Sequence, residues 1–109
     1  MAYQKILVAV DLGATTDRLL TAAAGLMADS GSELHILHVV EPINMSYGAD
    51  IPMDLSSIQD EIYDQASEQL TQYCETYRVP EPQRHLAVGH PEAEIASAAK
   101  RLHVDVIAV

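Results

Sequence analysis

The sequence predicts an α/β fold, a doubly wound parallel sheet with helices on both faces. Three observations carry that prediction. Apolar runs rich in β-branched residues recur along the chain, as strands covered on both sides require. Segments with the apolar spacing of one helical face separate them, giving the order β-α-β-α-β-α-β with right-handed crossovers. The chain has no Trp and no Phe although 49 % of it is apolar, so its core is built from Val, Ile, Leu, Ala and Met.

The first predicted strand is residues 6–10 (ILVAV), which follow Lys5 and stop at a lone carboxylate, Asp11. Thr15 or Thr16 can cap the helix that follows, and Asp17 sits in its first turn. Its inner face reads Leu19, Ala22, Ala23, Leu26 and Met27, and Gly31 stops it. The second strand, residues 33–40 (ELHILHVV), ends at Glu41 and Pro42, because proline cannot extend a ladder. An aperiodic stretch, EPINMSYGADIPMDLSS, comes next, and segments of this kind are usually lids or mobile. Met45, Tyr47 and Met53 within it either fold over a bound ring or pin the stretch to the body.

From Ser57 a helical stripe runs through Ile58, Ile62, Ala66, Leu70, Tyr73 and Tyr77, with Ser56 and Gln59 spaced as a capping box. Pro80 and Pro82 end it. Residues 84–88 form a short third strand closed by Gly89. Pro91 suits a first helical position, and Ile95, Ala98, Ala99 and Leu102 make the inner face of the third helix. Glu92 and Glu94 come early in it and Lys100 and Arg101 late, matching the helix dipole. Residues 104–109 (VDVIAV) are the fourth strand, and its uncovered edge implies either a truncated product or a covering partner.

The 109 residues read as one domain, with no repeat, low-complexity tract or linker. Six Lys and Arg against sixteen Asp and Glu give a net charge of −10, which repels nucleic-acid backbones and anionic membrane surfaces. Cys74 is the single cysteine, so no internal disulfide forms. The first apolar run is too short for a signal peptide or a membrane span, and the expected location is cytoplasmic.

In open parallel sheets the ligand crevice lies beyond the carboxyl ends of the strands, where the strand order reverses. Asp11 is at such an end, next to LGATT, a loop leading into a helix whose free amides favour an anion. The same edge should carry Val39 and Val40 from the second strand and Gly89 and His90 from the third. Asp11 there either holds a ribose hydroxyl or a metal ion, or it caps its own loop by accepting backbone amides.

MAYQKILVAVDL, LHILHVVEP and VGHPEAEIASAAKRLHVDVIAV, with the element order between them, resemble the universal stress protein family, and the opening is most similar to its UspA branch. The resemblance spans residues 1–109 and implies a fold like that of the adenine nucleotide alpha hydrolases, C-terminally truncated, without the last helix and fifth strand. It implies an adenine-nucleotide site in which Ala9, Val10, Asp11 and Val39 line the adenine and ribose pocket, with Gly89 at the same edge. Family members that bind ATP continue with a glycine-rich phosphate loop, which would begin after Val109. ATP or AMP, with Mg²⁺, is the ligand the family implies; no nucleotide is what the UspA branch implies.

Other chemistry finds less support. His35 and His38 point to opposite faces of a strand, and His85, His90 and His103 have no recognised ligand spacing, so no metal site is expected. Cys74 lies on a helical stripe without a CxxC partner and reads as a core residue. The GxSxG elbow, the P-loop and the GxGxxG fingerprint are missing. A phospho-receiver would need an acidic pair after the first strand and an aspartate where Gly89 stands. The acidic face of the second helix, Asp60, Glu61, Asp64, Glu68 and Glu75, is either solvated surface or a dock for a basic partner. The expected function, from the resemblance, is a non-enzymatic stress-response homodimer acting through protein contacts; the alternative is an ATP- or AMP-dependent switch. A hydrolase with Asp11 on Mg²⁺ ranks last, because no general base or catalytic lysine can be named.

Overall fold

A computed structural model of the chain describes residues 4–27, 31–42 and 55–109. The elements are β1 (Lys5–Ala9), α1 (Thr16–Ala24), β2 (Glu33–Val40), α2 (Leu55–Thr76), a 3₁₀ turn at Glu81–Gln83, β3 (Arg84–Val88), α3 (Pro91–Leu102) and β4 (Val106–Ala108). All strands are parallel, in the order β3-β2-β1-β4. The proposed lid residues Met45, Tyr47 and Met53 lie outside the described residues.

Both faces of the sheet are covered, as the continuous apolar runs predict. On one face Ile6, Val8 and Ile36 pack with Leu20 and Ala23 of α1 and with Leu70 and Cys74 of α2. On the other, Leu7 and Leu37 pack against Ala98 of α3, flanked by Ile95, Ala99 and Leu102. Strand parity makes this division, because alternate side chains of β1 and β2 point to opposite layers. Asp105 fastens the outer strand to the centre: its carboxylate accepts the Gln4 and Lys5 amides, each at 2.9 Å. Its own amide donates to the Lys5 carbonyl at 2.8 Å.

Several boundaries differ from the sequence reading. β1 runs one residue earlier, Lys5–Ala9, although the Val10 amide still donates to the Leu37 carbonyl at 2.9 Å. β4 is only Val106–Ala108, because residues 103–105 turn out of α3 and enter the sheet through Asp105. α1 ends at Ala24, with Gly25 as its cap, well before Gly31. Its buried residues are Thr16, Leu20 and Ala23, while Ala22 and Leu26 are exposed. Thr15 caps the helix without a side-chain hydrogen bond. Ser56 lies inside α2, since Leu55 is already helical, and therefore is not its cap.

The stripe on α2 is buried over only half its length. Ala66, Leu70 and Cys74 are buried, but Ile62 is 41 % exposed. A helix of 22 residues is about 33 Å long, whereas a five-residue strand is about 17 Å, so its first turns overhang the sheet.

The ends of α2 and α3 share one device. Arg78 and His103 adopt left-handed conformations with φ of 58° and 54°. Behind them the Val79 amide reaches the Cys74 carbonyl at 2.8 Å and the Val104 amide reaches that of Ala99 at 3.3 Å. These are the long bonds of Schellman caps, each closed by an apolar residue packed on the helix. Left-handed geometry at Arg78, rather than Pro80 or Pro82, ends α2.

On the α3 side, β2 and β3 bring two histidines together. His35 Nδ1 and His85 Nε2 are 2.9 Å apart, with the rings stacked at 5.2 Å between centroids. One nitrogen must donate and the other accept, so the accepting ring stays neutral to keep the bond. His35 Nε2 lies 3.3 Å from Glu33 Oε1 but does not meet hydrogen-bond geometry. Burial lowers the His35 pKa, outweighing the opposing pull of Glu33, and Lys5 adds to the lowering. Burial also lowers that of His85, helped by the charges of His35 and Arg101.

Two outcomes follow from these contacts. Arg78 is exposed, so Arg78→Gly relieves the left-handed backbone without loss of packing and should raise the urea midpoint by the equivalent of about 0.5–1 kcal/mol, whereas Arg78→Val should lower it. An unfolded histidine protonates near its ordinary pKa of 6.5, while the folded pair resists the proton to lower pH. The unfolded state then binds more protons, and stability must fall as pH drops through 6.5. Denaturation midpoints between about pH 7.5 and 5.5 should show this fall, flattened in His35→Gln/His85→Gln.

Candidate functional site

Because β2 and β3 lie on one side of β1 and β4 on the other, the strand order reverses at β1. A crevice opens there at the carboxyl ends of the strands, as the doubly wound topology predicts. Its volume is about 290 Å³. β1 and its following residues contribute Ala9, Val10 and Asp11, and β2 contributes Leu37, His38 and Val39. Glu41 stands at the rim, Pro91 and Ile95 bring in the start of α3, and Val109 closes the side beyond β4.

Ala9, Val10, Asp11 and Val39 are thus on one wall, and Gly89 is not. β3 is the outer strand beyond β2, so its end lies one strand further from β1. Gly89 instead continues the ladder, its amide donating to the Val40 carbonyl at 3.0 Å. Its φ of 156° falls in a region that favours glycine, and a Cβ there would meet Glu94 Oε1 at 2.7 Å.

Asp11 has a defined local task. Its Oδ1 accepts the Gly13 amide at 2.8 Å and lies 3.4 Å from the Thr16 hydroxyl. This closes an Asx turn and places Leu12 at a left-handed φ of 63°, with its side chain against the core. Gly13 is needed for closeness: an added Cβ would stand 3.1 Å from Asp11 Oδ1. The two readings of Asp11 therefore divide between its oxygens. Oδ1 serves the loop, while Oδ2 has no donor among the described residues and remains available to a ligand.

His38 was legible in the sequence only as a poor metal ligand. Its Nδ1 donates to the Val10 carbonyl at 2.8 Å, tying the end of β2 to the last residue before Asp11. A carbonyl can only accept, so Nδ1 carries the proton. Glu41, Pro91 and Ile95 were also missed as wall residues. Glu41 had a usable signal, since it follows β2 at the same edge as Asp11; Ile95 had none, because helical spacing only marks it as core-facing.

The Cys74 thiol is buried, and burial raises its pKa, which keeps it protonated and inert. Among the described residues no group of three His, Cys, Asp or Glu is placed to hold a metal ion, and no helix is long and apolar enough to cross a membrane. The apolar walls and free Oδ2 suit a base and a sugar.

Comparison with known proteins agrees with this architecture. The model described as "Universal stress protein family" matches residues 2–109. The chain is 28 % identical over 110 residues to the universal stress protein A homolog 1 of Coxiella burnetii (strain RSA 493 / Nine Mile phase I), covering 100 % of this chain and 76 % of that protein. The fold superposes on the universal stress protein UspA from Lactobacillus plantarum with a TM-score of 0.75 at 22 % identity, covering 99 % of this chain and 77 % of that one. It also matches a universal stress protein in complex with cAMP, with a TM-score of 0.57 at 17 % identity, covering 98 % of this chain and 71 % of that one.

The division of labour at Asp11 has a measurable consequence. Asp11→Ala should cost about 1 kcal/mol through the lost turn bond, and Asp11→Asn, which keeps an accepting oxygen, clearly less. Paired urea denaturation curves check this; equal losses would contradict the turn role.

Proposed function

The chain belongs to the universal stress protein family, and we propose that it acts as a non-enzymatic stress-response protein of the cytoplasm, paired with a second copy and working through protein contacts. The carrying observation is the match to that family over residues 2–109; within the described residues β4 is the outer strand, paired with β1. Its Ile107 is 41 % exposed. An exposed apolar side chain on an outer strand is a place where a second copy can pack in a symmetric, closed arrangement. The exposed acidic residues of α2 leave a further face for a basic partner.

A second reading, adenine-nucleotide binding with ATP or AMP and Mg²⁺, is favoured by the crevice. Ala9, Val10, Asp11 and Val39 share its wall, and a protein of the same fold is described in complex with cAMP. Under this reading the bound ligand shifts the pairing or the partner contacts.

Light scattering coupled to size exclusion at micromolar concentration tests the main reading. The chain should elute as a dimer, and Ile107→Lys should loosen it at least tenfold while far-UV circular dichroism keeps its shape. A native chain that remains monomeric would remove the pairing.

A further inference from the structure

A second hollow lies between β3 and α3, on the sheet edge opposite β4. Its volume is about 260 Å³, and it shares only Leu37 with the crevice. Because α3 follows the carboxyl end of β3 and runs back along it, the last turn of α3 brings Arg101 to the end where Arg84 and His85 open β3. Glu94, in the first turn, stands at the other end: a Cβ on Gly89, the residue after β3, would meet its Oε1 at 2.7 Å. Arg84 to Gly89 spans roughly 16 Å of extended chain, too far for the Glu94 carboxylate to pair with the cations.

The charges at the amino end of the hollow are unequally engaged. Arg84 Nε donates to the Val79 carbonyl at 2.8 Å, whereas the exposed Arg101 has no ion pair or side-chain hydrogen bond among the described residues. Arg101 is close enough for its charge to oppose protonation of His85. Glu33 Oε1, 3.3 Å from His35 Nε2, favours a proton on that nitrogen, and Lys5 Nζ stands 3.5 Å from the other Glu33 oxygen. His35 Nδ1 is then the acceptor and His85 Nε2 the donor in the 2.9 Å contact between the rings. His85 Nδ1 is left without a partner among the described residues, and it can take a proton while that contact survives.

We propose that the amino end of this hollow binds a small oxyanion, held between the Arg101 guanidinium and a protonated His85, with Glu33 and His35 fixing which His85 nitrogen receives the proton. The anion gives the planar guanidinium an acceptor and offsets the repulsion between Arg101 and a charged His85. Lys5 is occupied by Glu33 and the Leu102 carbonyl, and the cap at His103 and Val104 engages the Lys100 and Ala99 carbonyls, so the end of α3 offers little free negative charge. Between the two charged ends the wall is Leu37, Ala87 and Ala98, apolar surface beside which a charge-assisted bond is stronger than in open water.

Sulfate is the first probe, since it keeps its double charge across the pH range used, and acetate is the carboxylate arm. The His85 ring resonances of the 109-residue chain are followed by two-dimensional NMR, with sodium chloride of equal ionic strength as the control. They should shift saturably with an oxyanion and hardly at all with chloride; whichever of the two saturates the shift names the oxyanion class. A bound anion favours the protonated ring, so the dissociation constant should fall at least fivefold from about pH 8 to about pH 6. Arg101→Gln removes no hydrogen bond and should weaken binding at least tenfold with far-UV circular dichroism unchanged. A shift that chloride reproduces, or no shift with either oxyanion, overturns the site. Binding that ignores pH overturns the protonated His85, and undiminished affinity in Arg101→Gln overturns the part given to the guanidinium.

Discussion

The structure depends on β1 being hydrogen-bonded along both edges. Ile6, Leu7 and Val8 are fully buried because β2 and β4 flank them while helices cover both faces. A strand in that position cannot carry a charge within its length, so its first carboxylate appears where the sheet ends. The same placement puts the reversal of strand order at β1, which opens the crevice beside that carboxylate. Burial of the strand and location of the site are two results of one topology.

Around this centre the polar groups do local, identifiable work. Asp105 carries β4 onto β1 through three short backbone contacts. His38 holds the end of β1 to β2, and Asp11 shapes its own loop with one oxygen while presenting the other. The rim is thereby fixed by hydrogen bonds from β1, β2 and the loop before α1, which pre-organises it before any ligand arrives.

Charge is unevenly distributed along the sheet axis. Helix ends and strand starts at the amino end collect the cations: Lys5 donates to the Leu102 carbonyl at 3.1 Å and Arg84 to the Val79 carbonyl at 2.8 Å. Those carbonyls belong to the ends of α3 and the α2 connection, where partial negative charge favours cations. The stabilising use of these residues thus keeps five of the six basic side chains at the amino end, with Arg18, near the start of α1, the exception.

The sequence by itself determined the element order, the parallel sheet and the edge on which Asp11 stands. Apolar periodicity is a local property, and residues 33–40 and 84–88 were bounded from it, and the third helix started at Pro91, as the structure has them. It also showed that His35 and His38 cannot act together. What spacing could not show was lateral pairing: that His35 meets His85, that Glu41 and Ile95 join Asp11, and that Gly89 stands aside. These depend on strand order and on the β2–β3 register, Leu37 opposite His85 and Val39 opposite Ala87, which join residues far apart in the chain. Element ends slipped for a related reason. Whether α1 continues past Ala24, or α2 stops at Arg78, is decided by where the chain must turn to reach the next strand, and only packing in three dimensions sets that distance.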